Sequence, residues 1–119
     1  MKRKHLAKLE DKVLTLRKRS VLLDRDLADA LDIKTSALNQ TVTRNEDRFG
    51  KKFCFSLKES EVKELIAQGL FTKKEIAKRT RPPRAFTEAG AYMVSFLIPT
   101  KRAIKLSRSV LKELVPEEA

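Results

Sequence analysis

Cysteine is nearly absent. Cys54 is the only one in 119 residues, so no intrachain disulfide can staple the fold. It sits in KKFCFSL, where Phe53, Phe55 and Leu57 alternate onto one face of an expected strand and Cys54 falls on the other. Nothing nearby in sequence would make it a thiolate, and it reads as an unreactive small residue. Tryptophan is missing, aromatics total 6%, and no aromatic pair is placed for base stacking, which weighs against RNA. The three glycines, Gly50, Gly69 and Gly90, are too few and too scattered for a phosphate loop. His5 is the single histidine and has no partners with which to build a metal site. Long apolar runs are lacking as well: AYMVSFLI, Ala91 to Ile98, falls well short of the roughly 18 residues a membrane span needs. The basic start MKRKHLAKLEDK has no apolar stretch behind it, unlike a signal peptide. The expectation is a soluble cytoplasmic protein, without cofactor or membrane.

What the chain has in abundance is positive charge. Lys and Arg number 27 against 16 Asp and Glu, a formal net charge of +11, and a field of that sign attracts a polyanion. With 41% hydrophobic residues, the length allows one modest core and is too short for two ordinary domains. The expected division is a basic leader over 1–11, a single domain over 12–115 and a tail over 116–119.

Along the chain, Leu6 and Leu9 are spaced for one face of a helical leader. KVLTLRKRSVLL, residues 12–23, alternates around a basic tip at Arg17, Lys18 and Arg19. It suits either two short strands and a turn or a helix continuing from the leader. Asp24 precedes the helical pattern Leu27, Ala28, Leu31 as an N-cap candidate, and Thr35 opens a second short helix with Leu38, Val42 and Asn45 turned inward. Only Asp32, Ile33 and Lys34 separate them, so the spacing predicts helix, turn, helix, with Ala28 at a close crossing and Ile33 under the turn. A strand at 53–57 follows. Ser56 and Glu59 have the spacing of a capping box for a helix ending near Ala67, with Gly69 after it. TKKEIAKRTRPPR, residues 72–84, reads as a mobile basic loop or wing with at most a helical turn. Ala85 and Phe86 suit a short strand. Thr87 is placed to cap a helix to Leu97 that is apolar nearly all round, and Thr100 a last one to Leu114. On that last helix Ala103, Ile104, Leu106, Val110, Leu111 and Leu114 form the apolar arc, opposite Lys101, Lys105, Arg108 and Lys112. A mainly C-terminal core with a dimer surface is expected. The fold class is α+β, mostly helical: a helix-turn-helix core with short β-strands or wing and two C-terminal packing helices.

Charge is not spread evenly. Residues 1–20 and 51–86 each carry +6, whereas residues 21–50 carry −2. Asp24, Asp26 and Asp29 lie at the N-terminal end of the first helix, where its dipole favours them, and in a helix-turn-helix that helix stands back from the groove. On the second helix Ser36, Gln40, Thr43 and Arg44 face outward with Asn39 and Ala37 at the margins. Amides, hydroxyls and a guanidinium are the groups that read base edges. Cations for phosphate are Arg17, Lys18, Arg19, Lys34, Lys73, Lys74, Lys78, Arg79, Arg81 and Arg84. The competing reading of the helix is an ordinary solvated face. Catalytic patterns are thin: the acids Asp24, Asp26, Asp29 and Asp32 are explained by capping and dipole rather than metal, and Glu61-Val62-Lys63 falls on a helix, where a nuclease E-x-K would need a strand. No enzymatic activity is expected.

LDRDLA (Leu23–Ala28), LNQTVTRN (Leu38–Asn45), Arg48-Phe49 with the later Phe53 and Phe55, and AFTEAG (Ala85–Gly90) together resemble the ORF-six N-terminal domain of phages and mobile elements. That family is related to the Bro-N domain and often accompanies KilA-N. The resemblance runs over about residues 12–114 and implies a DNA-binding domain of a phage-type regulator or antirepressor, in the nucleoid or an infected bacterial host. Family members commonly carry glycine at the hairpin tip, where this chain has Lys18. The resulting expectation is a homodimeric, sequence-specific binder of double-stranded DNA. The alternative is a protein-interaction module holding a repressor or polymerase subunit.

Overall fold

The computed structural model describes residues 4–115; the expected tail at 116–119 and the first three residues of the leader lie outside the described residues. A 3-10 helix, Lys4–Lys12, is broken at Leu6 (φ −115°, ψ 24°). Leu6 nonetheless reaches the core, 4% exposed, and His5 pairs with Glu113 and meets Tyr92 edge-on. The described part of the leader is therefore packed against the rest of the structure.

A hairpin follows, β1 (Leu14–Leu16) and β2 (Arg19–Leu23), so the strand alternative holds for residues 12–23. Leu16 faces Arg19 across the turn, leaving two central residues, Arg17 (φ 52°) and Lys18 (φ 63°), both left-handed. Two positive φ values are what a tight turn needs to match the strand twist, and non-glycine residues take them at a cost. Arg17 offsets that cost: its guanidinium donates twice to Glu61, at 2.8 and 3.0 Å, and lies 4.0 Å over the Phe55 ring. β3 (Cys54–Ser56) and β4 (Arg84–Phe86) complete an antiparallel sheet in the order β1-β2-β4-β3.

Strand alternation sorts the sheet's side chains to two faces. Leu22, Phe86 and Cys54 face one hydrophobic cluster, built with α1 (Asp24–Ala30), α2 (Thr35–Arg44), α5 (Glu88–Ser95) and α6 (Lys101–Leu114). Val21, Leu23, Phe55 and Ala85 face a second, covered by α3 (Glu59–Ala67), Phe71 and the edge of α4 (Lys73–Ala77). The fold is α+β and mostly helical, with helices on both sides of a small sheet. The core is thus less C-terminal than expected. On α6, Ala103, Leu106 and Val110 are buried, but Ile104, Leu111 and Leu114 of the expected arc remain exposed.

Caps explain several boundaries. Thr87 accepts from the Gly90 N–H and Thr100 from the Ala103 N–H, as their spacing predicts. Thr100 also donates to the Leu31 carbonyl at 2.6 Å, so α6 closes the end of α1. Other expected caps move. Thr35 is the first residue of α2, after Lys34, and Ser56 ends β3. In α3 it is the Lys58 N–H that Glu61 receives, at 2.8 Å. Gly69 (φ 79°) closes that helix, its N–H donating to Ile66 while Leu70 donates to Leu65. Residues 72–84 differ most from expectation: Thr72 and Glu75 form a reciprocal capping box that starts α4, and ion pairs described below pin the rest.

Gly90 is required by close approach. A Cβ there would lie 1.9 Å from the Phe53 carbonyl oxygen, because the Thr87 N–H and hydroxyl dock the start of α5 onto residues 52 and 53. Gly90→Ala is expected to lower unfolding stability by roughly 2 kcal/mol or more, since backbone must move; urea unfolding measures it, and an unchanged midpoint would contradict this packing. The hairpin lock titrates. Hydrogen bonding from Arg17 holds the Glu61 carboxyl below its usual 4.5. Its contribution is then complete above that pH and fades as pH falls through the lower folded value. Glu61→Gln is expected to flatten the acid side of the stability profile, followed by circular dichroism between pH 6 and 2.

Candidate nucleic-acid interface

α1 and α2 pack through Leu27, Ala28, Leu38 and Val42, all 3% exposed or less. The turn between them has Asp32 left-handed (φ 57°), and the Ile33 N–H donates to Ala28 at 3.0 Å. Ala28 and Ile33 sit where the spacing placed them. The inward residues Leu38 and Val42 leave a polar face outward, and Asn45 holds the end of α2 by donating to the Thr41 carbonyl at 2.8 Å.

The position of that face is set by Asp24, which the sequence suggested as a cap. It is the first residue of α1, 0% exposed, and of the free N–H groups its carboxylate receives only that of Arg25, at 2.7 Å. The other bonds run sideways. Asn39 of α2 donates at 2.8 Å, Arg79 donates twice at 3.0 Å, and the Arg84 N–H donates at 3.0 Å. One buried carboxylate thus joins α1, α2, the segment after α4 and β4. Arg79 and Arg25 stack on Phe71, and Arg25 bridges to Glu75 at 2.9 Å. The basic segment 72–84 is therefore pinned, contrary to the mobile loop expected.

Between α2 and this segment lies an open cleft of ≈ 1000 Å³. All five expected base-reading residues, Ser36, Asn39, Gln40, Thr43 and Arg44, line one wall, and Lys78, Arg79, Thr80 and Arg81 line the other. The five differ in availability. Ser36, Gln40 and Arg44 are exposed, and their side chains have no hydrogen-bond partner among the described residues. Asn39 is committed at both ends, its amide nitrogen to Asp24 and its oxygen to Arg84. The Thr43 oxygen accepts from Arg81 at 2.7 Å and Arg84 at 3.1 Å.

The expected phosphate set divides too. Lys18, Lys34, Lys73, Lys74, Lys78 and Arg81 are exposed, Arg81 with one of its donors on Thr43. Arg79 and Arg84 are spent internally on Asp24, Asn39 and Thr43, and Arg17 on Glu61. Arg19 donates to the Lys51 carbonyl at 2.6 Å. The tip cations lie at the far end of β2 from Asp24, about 16 Å away along a five-residue strand. Arg25 and Thr80 line the cleft although sequence reasoning did not select them; Arg25 carried a signal, adjacency to the acid that organises the site.

Elsewhere the chemistry is quiet. Burial pushes the Cys54 thiol up, against a smaller opposing pull from Arg84, which disfavours the thiolate. Among the described residues no group of His, Cys, Asp and Glu is placed to hold a metal, and no helix is long and apolar enough to cross a membrane.

Removing Asp24 leaves Arg79 half-buried beside an empty acceptor site. Asp24→Ala is expected to cost about 3 kcal/mol of unfolding free energy, whereas Asp29→Ala, exposed on the same helix, should cost under about 0.5. Equal small losses in chemical denaturation would show that the carboxylate does not organise this region.

No curated protein and no solved structure matches the chain. A family model for the ORF6N domain matches residues 11–97. The match includes the hairpin, α1, α2, the sheet and α5, and stops short of α6, where the resemblance had been expected to continue. With that segment covering most of its length, the chain belongs to the ORF6N domain family.

Proposed function

We propose that this protein is a sequence-specific double-stranded DNA-binding regulator of phage or mobile-element type, non-enzymatic and without cofactor. α1 and α2 act as a helix-turn-helix, with α2 in the major groove. The observation that carries this reading is the cleft: exposed Ser36, Gln40 and Arg44 stand on one wall, and Lys78 and Arg81 on the other. Base-edge chemistry and phosphate chemistry face the same space, as they must if a groove wall and its backbone are contacted together. Lys34, Lys73 and Lys74 extend the positive field beside the cleft, and Lys18 offers a separate contact at the hairpin tip.

A homodimer on a two-part site is part of the proposal. Ile104, Leu111 and Leu114, exposed by 46%, 47% and 71%, supply an apolar surface on α6 that a second copy would cover. The same residues support the alternative, an interaction module that holds a repressor or polymerase subunit. Heparin retention without any shift of duplex DNA would favour that alternative.

Affinity for a selected duplex is expected to fall by roughly a thousandfold between 50 and 200 mM salt if about six cations touch phosphate. Gln40→Ala should relax preference among sequences. Lys78→Ala should weaken all duplexes alike and reduce the logarithmic salt slope by about one. Fluorescence anisotropy over a salt series separates these effects, and a shallow slope or a uniform loss with Gln40→Ala would count against the assignment.

A further inference from the structure

On the α2 face, the hydrogen-bonding polarity of Thr43 is dictated by the protein itself while its proton is left unused. A threonine hydroxyl has two acceptor lone pairs and one proton. The Arg81 guanidinium donates to the Thr43 oxygen at 2.7 Å and the Arg84 guanidinium at 3.1 Å, filling both lone pairs. The proton is not taken up by the preceding turn of the helix: Thr41 donates to the Ala37 carbonyl, whereas no such bond links Thr43 to the Asn39 carbonyl, which receives Arg84 instead. Arg84 is itself fixed, since its N–H lies on the buried Asp24 and its guanidinium also holds Asn39. What remains for Thr43, a half-buried residue lining the cleft, is its O–H, available to an acceptor that enters there.

We infer that Thr43 acts in base reading as a hydrogen-bond donor only, and that Arg81 and Arg84 are positioning residues that impose this polarity. The inference rests on α2 lying in the major groove, as proposed above. On the contacted strand a donor-only hydroxyl accepts guanine, which shows N7 and O6, and tolerates adenine N7 or thymine O4. It rejects cytosine, whose edge offers the N4 amino group alone. An ordinary threonine, free to turn its lone pairs outward, would not make this distinction.

The test is selection of bound duplexes from a randomised pool with the full chain and three variants. The wild type should deplete cytosine at one position by roughly threefold to tenfold, the range of a single hydrogen bond, with guanine most enriched there. Thr43→Val, similar in shape and lacking the hydroxyl, should flatten that position and leave the others; Thr43→Ser should keep it, which excludes the threonine methyl as the reader. Arg81→Ala frees a lone pair and should readmit cytosine at that position. Cytosine enriched by the wild type, or a Thr43→Val profile identical to it while Gln40→Ala still alters its own position, overturns the inference and leaves the DNA-binding proposal standing. A wild-type pool with no enriched motif overturns both.

Discussion

Everything about the candidate interface depends on burying the Asp24 carboxylate. An ion fully removed from water is expensive, and its partners offset the expense only when all of them are in place. Here the partners come from α2, from the segment following α4 and from β4, with Arg79 and Arg84 separated from Asp24 by 55 and 60 residues. Partial assembly would leave an uncompensated charge inside the molecule. The network therefore makes the relative placement of the two cleft walls close to all-or-none, which a purely apolar contact would not do as sharply.

The same arrangement resolves why a strongly basic chain concentrates aspartates near its helix pair. Asp24 is structural, and Asp26 and Asp29 lie on the helix that stands away from the proposed groove, with Asp26 3.5 Å from Arg25. Neutralising Arg79 and Arg25 internally also means that formal charge overstates what is presented to a partner. The free cations are fewer, and most are lysines, whose flexible point charges suit phosphate better than they suit base-specific recognition.

Local signals in the sequence were legible and distant ones were not. Thr87 and Thr100 cap their helices because a hydroxyl three residues before an N–H needs no tertiary help. The continuous apolar run Val21, Leu22 and Leu23 hides two buried faces, since a strand covered on both sides shows no alternation. Asp24 looked like a cap because nothing in its neighbourhood announces Arg79. Thr72 and Glu75 have the same spacing as Ser56 and Glu59, but the surrounding cations and Pro82-Pro83 are also the composition of a loop. Of the site, the face of α2 followed from helical spacing. The division of its residues into free and committed groups could not, because it depends on arginines folded back from the other end of the chain.

The Thr100 hydroxyl, bonded to the Leu31 carbonyl, carries a lesson about where this unit ends. The ORF6N match ends at residue 97, yet the helix beyond it seals the exit of α1 and contributes Ala103, Leu106 and Val110 to the shared interior. A fragment cut at residue 97 would expose greasy surface beneath α1 and α5, so the matched segment is narrower than the packed unit it belongs to.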